Sequence, residues 1–108
     1  MGRHSLQPFE LQVLLAMLRQ RGETYSVPLV LTLEKHARRP VAPAAVFIAL
    51  SRLERKRLVA SRLDEPAGGR TRRYFRLTRL GLAAVREQRA EHARLWRGLA
   101  RLLRPHRT

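Results

Sequence analysis

The sequence predicts a mainly α chain interrupted by one two-stranded β-hairpin, and three observations predict it. Apolar residues before Arg57 recur at helical spacing in three separate blocks. From Leu58 to Leu77 the period changes to two, around a turn containing Pro66, Gly68 and Gly69. After Thr78 the apolar spacing is helical again and runs to Leu103.

The first helix begins near Pro8, whose fixed φ suits a first helical position, and carries Phe9, Leu11, Val13, Leu14, Leu15, Met17 and Leu18. So apolar a segment is expected to be buried on most sides, and Gly22 is expected to stop it. A second helix is expected from Ser26, whose hydroxyl can cap free amides, with Pro28 tolerated in the first turn. Tyr25 is placed to pack on Val30 as a staple, and Leu29, Val30, Leu33 and Ala37 are expected to face the core. Pro40 pushes Arg39 to an extended conformation and ends that helix; Pro43 pre-sets the third. Over 42–57, Val46, Ala49, Leu50 and Leu53 form one stripe, leaving Ala44, Ile48, Ser51, Arg52 and Arg55 on the opposite face.

One strand is expected over 58–63 and its partner over 71–77. In the second, Arg73, Phe75 and Leu77 lean inward and Arg72, Tyr74 and Arg76 outward. The turn over 65–70 offers two glycines for positive φ, crowded by Arg70, Arg72 and Arg73. A nucleotide-cradling loop is not expected there, because no Lys-Ser/Thr pair follows and no helix opens from the glycines. The remainder, over 79–103, reads as one long helix with apolar surface at Leu82 and Val85 and again at Leu95, Trp96, Leu99, Leu102 and Leu103. Helix, turn, helix and wing make a winged helix-turn-helix over 1–78, followed over 79–108 by a C-terminal dimerisation helix and basic tail. A core this small cannot cover the distal leucines with its own chain, so a two-fold partner is expected to do so.

Charge narrows the function. Lys and Arg number 23 against 8 Asp and Glu, a net +15 over 108 residues, and a polyanionic partner is the economical reason for such self-repulsion. Only Lys35 and Lys56 are lysines; genome composition accounts for that bias as readily as chemistry does. There is no cysteine, which excludes disulfides, thiolate metal sites and a cysteine nucleophile. His4, His36, His92 and His106 are scattered without carboxylates at ligand spacing, so no metal and no cofactor are expected. Isolated carboxylates give an enzyme nothing to assemble. The N-terminal apolar run is too short, and too broken by Glu10 and Gln12, for a signal peptide or membrane span, so a cytoplasmic protein is expected. Two other classes compete. An Arg-rich structural RNA binder needs only charge and shape, but Tyr25, Tyr74 and Phe75 do not read as a paired stacking platform. A basic helix from Arg94 to Arg107 binding an acidic membrane or protein leaves the wing unexplained and is diluted by Glu87 and Glu91.

The segments Glu10 to Leu18, Val41 to Glu54, Leu58-Val59, Gly68-Gly69-Arg70 and Tyr74 to Thr78 with Gly81 resemble the PadR family of winged-helix transcriptional regulators. The resemblance covers about four-fifths of the chain. It implies a prokaryotic, nucleoid-associated repressor that dimerises through its C-terminal helix, with the third helix in the major groove of double-stranded DNA and the wing on the flanking backbone. In some members small aromatic or hydrophobic effectors relieve repression. This chain departs from the pattern at Ala42, where the family has Ser or Thr, at Ala44 and Arg57, where it has Gly, and at Phe47, where it has Tyr. A weaker helix cap, a left-handed Arg57 and a packing role for Phe47 are the expected results.

The expected DNA-facing set is therefore Pro43, Ala44, Ala45, Ile48, Ser51, Arg52, Arg55 and Lys56 on the helix, with Arg70, Arg72 and Arg73 on the wing. The expected dimer surface is Val85, His92, Leu95, Trp96, Leu99, Leu102 and Leu103. Trp96 is its anchor and the candidate for stacking on an effector.

Overall fold

A computed structural model describes residues 6–106; His4 and Arg107 lie outside them. Three helices come first: α1 (Pro8–Gln20), α2 (Ser26–Ala37) and α3 (Pro43–Arg55). A hairpin of β1 (Val59–Asp64) and β2 (Arg72–Leu77) follows, then α4 (Arg79–Trp96) and a 3-10 turn at Ala100–Leu103. The strands pair antiparallel from Val59 with Leu77 to Asp64 with Arg72. This is a winged helix-turn-helix, with a C-terminal helix present.

The core forms where the predicted stripes meet. Leu14 and Val13 of α1, Leu29 of α2 and Val46, Leu50 and Leu53 of α3 are wholly enclosed, with Leu58, Val59 and Phe75 closing the hairpin side. Val85, expected at the dimer surface, belongs to this core at 9% exposure, because the first two turns of α4 lie against the domain. The first helix packs against α2, α3, β2 and α4, and of its residues only Pro8, Leu15, Leu18 and Arg19 are exposed, so it is covered on most sides except along Leu15 and Leu18, at 41% and 38%.

Helix ends differ from expectation in instructive ways. α1 stops one turn position before Gly22, with Arg21 itself left-handed at φ 57°, and α2 ends on a left-handed Arg38 rather than at Arg39. Ser26 is the first helical residue and does not cap; Tyr25 holds the cap position without a side-chain bond and turns to the wing instead of stapling Val30. Arg57 does adopt φ 64°, as the missing glycine implied, and its amide donates to Glu54 O at 2.9 Å. The predicted long terminal helix is interrupted. Gly98 takes φ 80° after an extended Arg97, so Leu99, Leu102 and Leu103 are not on the helix that carries Leu95 and Trp96.

The junction of wing and α4 is the tightest point of the fold. Thr78 caps α4 by accepting from the Gly81 amide at 3.0 Å, and its hydroxyl donates to Arg57 O at 2.8 Å. Gly81 sits against the Leu58 carbonyl so closely that a Cβ there would lie 2.1 Å from the oxygen. Only glycine lets the helix approach this near.

Candidate nucleic-acid interface

Because Val46, Ala49, Leu50 and Leu53 turn inward, α3 presents its other side to solvent. Ala44, Ile48, Arg52 and Arg55 are exposed there, Pro43 is exposed at the first turn, and Ala45 and Ser51 are half-buried. Small residues at the leading turn and arginines at the trailing one make a surface that can enter a groove and donate forked hydrogen bonds. Ala42 caps α3 with no side-chain bond, as its substitution for Ser or Thr implied. Phe47, expected to pack, is 52% exposed and lines an open cleft with Tyr25, Val27 and Arg70 between α3 and the wing.

Lys56 has a partner within the fold. Its ammonium donates to Glu10 Oε1 at 2.7 Å, and the same oxygen accepts from the Gln7 amide at 2.9 Å. Glu10 is 2% exposed. Burial pushes its carboxyl pKa up, but the bonds from Lys56 and Gln7 and the charge of Arg52 outweigh that and hold it below the ordinary carboxylate value. The pair ties the end of α3 to the start of α1 across 46 positions of sequence. No local pattern reveals it.

The three wing arginines occupy different settings. Arg70 is exposed at the tip. Arg73 lies on the α3 side, where its Nη1 donates to Ser61 Oγ at 3.1 Å and the Ser61 hydroxyl donates to Glu54 Oε2 at 2.7 Å. Arg72 lies on the other face, its Cζ 4.1 Å above the Tyr25 ring. Tyr25 and Tyr74 do form a pair, edge to face at 5.7 Å, contrary to the sequence reading. Arg62 covers the Tyr74 ring at 4.9 Å and makes a two-pronged bond to Glu23 at 2.7 and 2.8 Å, so the rings are not an open stacking platform. The Arg62 bond holds the Glu23 carboxyl below its ordinary range and raises the guanidinium in turn. These contacts were missed because Tyr25 precedes its wing partners by some fifty positions; the outward alternation of Arg72 and Tyr74 was the available signal.

At the far end, Leu95, Trp96, Leu102 and Leu103 are exposed at 52% to 77%. The His92 ring lies 5.6 Å from that of Trp96. Exposed Leu15 and Leu18 of α1 extend this apolar surface through a groove that α1 shares with Val85, Gln88 and His92 of α4. Among the described residues no group of His, Asp and Glu could hold a metal ion, and no helix is long and apolar enough to cross a membrane.

Comparison with known proteins agrees with this arrangement. The family model described as the transcriptional regulator PadR-like family matches residues 14–87. A PadR family transcriptional regulator from Eggerthella lenta is similar in structure, with 31% identity, TM-score 0.70 and coverage of 91% of this chain and 89% of that one. BpsR of Bordetella bronchiseptica, whose DNA binding is regulated by 6-hydroxynicotinic acid, shares 30% identity over 87% of this chain and 67% of its own, with TM-score 0.64. A PadR-like regulator from Bacillus cereus has the same fold, with 22% identity, TM-score 0.72 and coverage of 91% and 93%. A search of curated proteins gave no match.

Proposed function

The chain belongs to the PadR-like family of transcriptional regulators, and from that premise we propose that it is a homodimeric repressor of double-stranded DNA sites. The α3 face of Ala44, Ile48, Ser51, Arg52 and Arg55 reads the major groove, helped by Pro43 and Ala45 at the first turn, and Arg70 at the wing tip holds the flanking backbone. Lys56, Arg72 and Arg73, by contrast, serve binding through the scaffold contacts they already make. One observation carries the reading: the exposed face of α3 combines small leading residues with trailing arginines beside an arginine-tipped hairpin.

The dimer forms through Leu95 and Trp96 of α4, with His92 and the tail residues Leu99, Leu102 and Leu103, and exposed Leu15 and Leu18 continue the surface. Two-fold pairing sets two copies of α3 about one helical turn of DNA apart, roughly 34 Å. The regulation of BpsR by a small aromatic acid supports an effector here too, with Trp96 as its stacking residue.

Electrophoretic retention of the DNA upstream of the gene, against RNA of equal length and at several salt concentrations, tests the proposal. Arg52→Ala and Arg55→Ala are each expected to weaken specific duplex binding by about 1–3 kcal/mol with the fold intact. Equal affinity for RNA and duplex, or operator affinity unchanged in both variants, overturns it in favour of a general polyanion binder.

A further inference from the structure

We propose that Tyr25 is a positioning residue for DNA binding: with Tyr74 it forms the centre of a ladder, Glu23–Arg62–Tyr74–Tyr25–Arg72, that sets the angle of the wing. The inference rests on the DNA-binding reading above.

The hairpin needs such a brace. Two six-residue strands without a third are marginal on their own, and only the base of this pair enters the core, through Val59 and Phe75. Beyond Phe75 the paired residues Arg62 and Tyr74, Leu63 and Arg73, Asp64 and Arg72 bury little. Three consecutive linker residues supply what the core does not. Glu23 takes both prongs of Arg62 at 2.7 and 2.8 Å. Thr24 exchanges two backbone bonds with Phe75, at 3.0 and 2.7 Å. Tyr25 meets the Tyr74 ring edge to face at 5.7 Å and lies 4.1 Å under the Arg72 guanidinium.

The ladder is built for permanence. Each aromatic ring lies under an arginine, the pairing its quadrupole favours, and arginine stays charged at any physiological pH. Two cation–π contacts and one edge-to-face pair together favour a single wing orientation by about ten- to a hundredfold. Arg72 is thereby held on Tyr25 and stiffens the start of β2, two positions after Arg70. That stiffness matters at the tip. Arg70 stands five positions before Phe75, at most about 17 Å away, so a swing of about 20° moves it by up to about 6 Å, outside hydrogen-bond reach of a phosphate.

The test uses the full chain with the variants Tyr25→Leu, Tyr25→Phe and Arg62→Gln. One readout is amide hydrogen exchange of β2 without DNA. The other is anisotropy titration of a labelled duplex of the upstream DNA, about three helical turns long, across a salt series. Tyr25→Leu is expected to speed exchange at Arg72 to Tyr74 and to weaken binding about three- to tenfold. Its salt slope should fall by about one unit although no charge has been removed, because Arg70 no longer reaches its phosphate. Tyr25→Phe, which keeps the ring, restores all three quantities, and Arg62→Gln repeats the faster exchange from the other end of the ladder. A Leu variant with weaker binding but an unchanged slope has merely lost folded protein, which overturns the proposal. So does faster exchange with unaltered affinity, or a Phe variant as impaired as Leu. Wild-type protein that binds no duplex instead removes the DNA reading itself, while the exchange data still report on the ladder.

Discussion

Leucines at the two ends of this molecule meet opposite fates. Leu14, Leu29, Leu50, Leu53 and Leu58 are at 0% exposure, whereas Leu95, Leu102 and Leu103 stand at 70%, 77% and 62%. The first group comes from three helices and a hairpin that converge on one point, so each element covers the others. The second comes from a helix end and a 3-10 turn that lie beyond the part of α4 packed on the domain. Since a fully buried leucine gains about 1.5–3 kcal/mol over an exposed one, the C-terminal group holds hydrophobic surface that this fold leaves unburied. The winged half is finished: it encloses its own core. The other half leaves its leucines uncovered.

The sharpest way to break this contrast is at the joint between the halves. Gly81→Ala would drive a methyl into the Leu58 carbonyl and within 2.9 Å of the Leu77 Cδ2, forcing α4 away from the domain. A loss of about 3 kcal/mol, seen as a fall in Tm of about 12 °C or more by circular dichroism, is expected. A Tm within a degree of the parent would mean that the close approach is not maintained in solution.

The next effect is confined to the unfinished half. Leu95→Asp combined with Trp96→Ala should convert a dimer to a monomer in sedimentation at equal concentration, leaving the core intact, with duplex affinity reduced by about a hundredfold through lost avidity. A parent chain that sediments as a monomer, or a double variant that still dimerises, assigns the interface elsewhere.

The smallest effect probes the finished half by pH. Glu10 has a folded pKa below its ordinary value, so its contribution is present above the unfolded value, about 4.3, and is lost as pH falls through the folded one. Glu10→Gln should therefore cost about 1–2 kcal/mol in urea unfolding at pH 7, with the deficit closing in acid below pH 4 or so. A deficit equal at pH 7 and in strong acid would show that the charge on Glu10 is not what ties α3 to α1.

How much of this was legible depended on range along the chain. Pro43 starting α3, the inward stripe of Val46 to Leu53 and the alternation of β2 are local patterns, and the chain follows them. Tyr25 shows where locality fails: five residues away Val30 was an adequate partner, but Tyr74 and Arg72 arrive from the hairpin and take its ring. Lys56 read as a DNA-facing cation of the third helix because Glu10, 46 positions earlier, was invisible to it. Leu15 and Leu18 read as core because composition reports how apolar a helix is and not how many sides its neighbours cover. Gly98 was readable as a helix breaker, but leucine spacing continued on both sides of it and masked the signal. Of the candidate interface, the residue types were legible; which arginines were already engaged was not.

The Thr78–Gly81 joint also gives the molecule a lever. The 18 residues of α4 extend about 27 Å from a fulcrum at Leu58, three residues beyond the end of α3. A tilt of about 10° at the Trp96 end sweeps that end through roughly 5 Å, and the Thr78 hydroxyl on Arg57 and the Leu58 carbonyl under Gly81 feel the same rotation at their shared pivot. The same few contacts that seat the base of α4 thus border the end of the helix that carries Arg52 and Arg55.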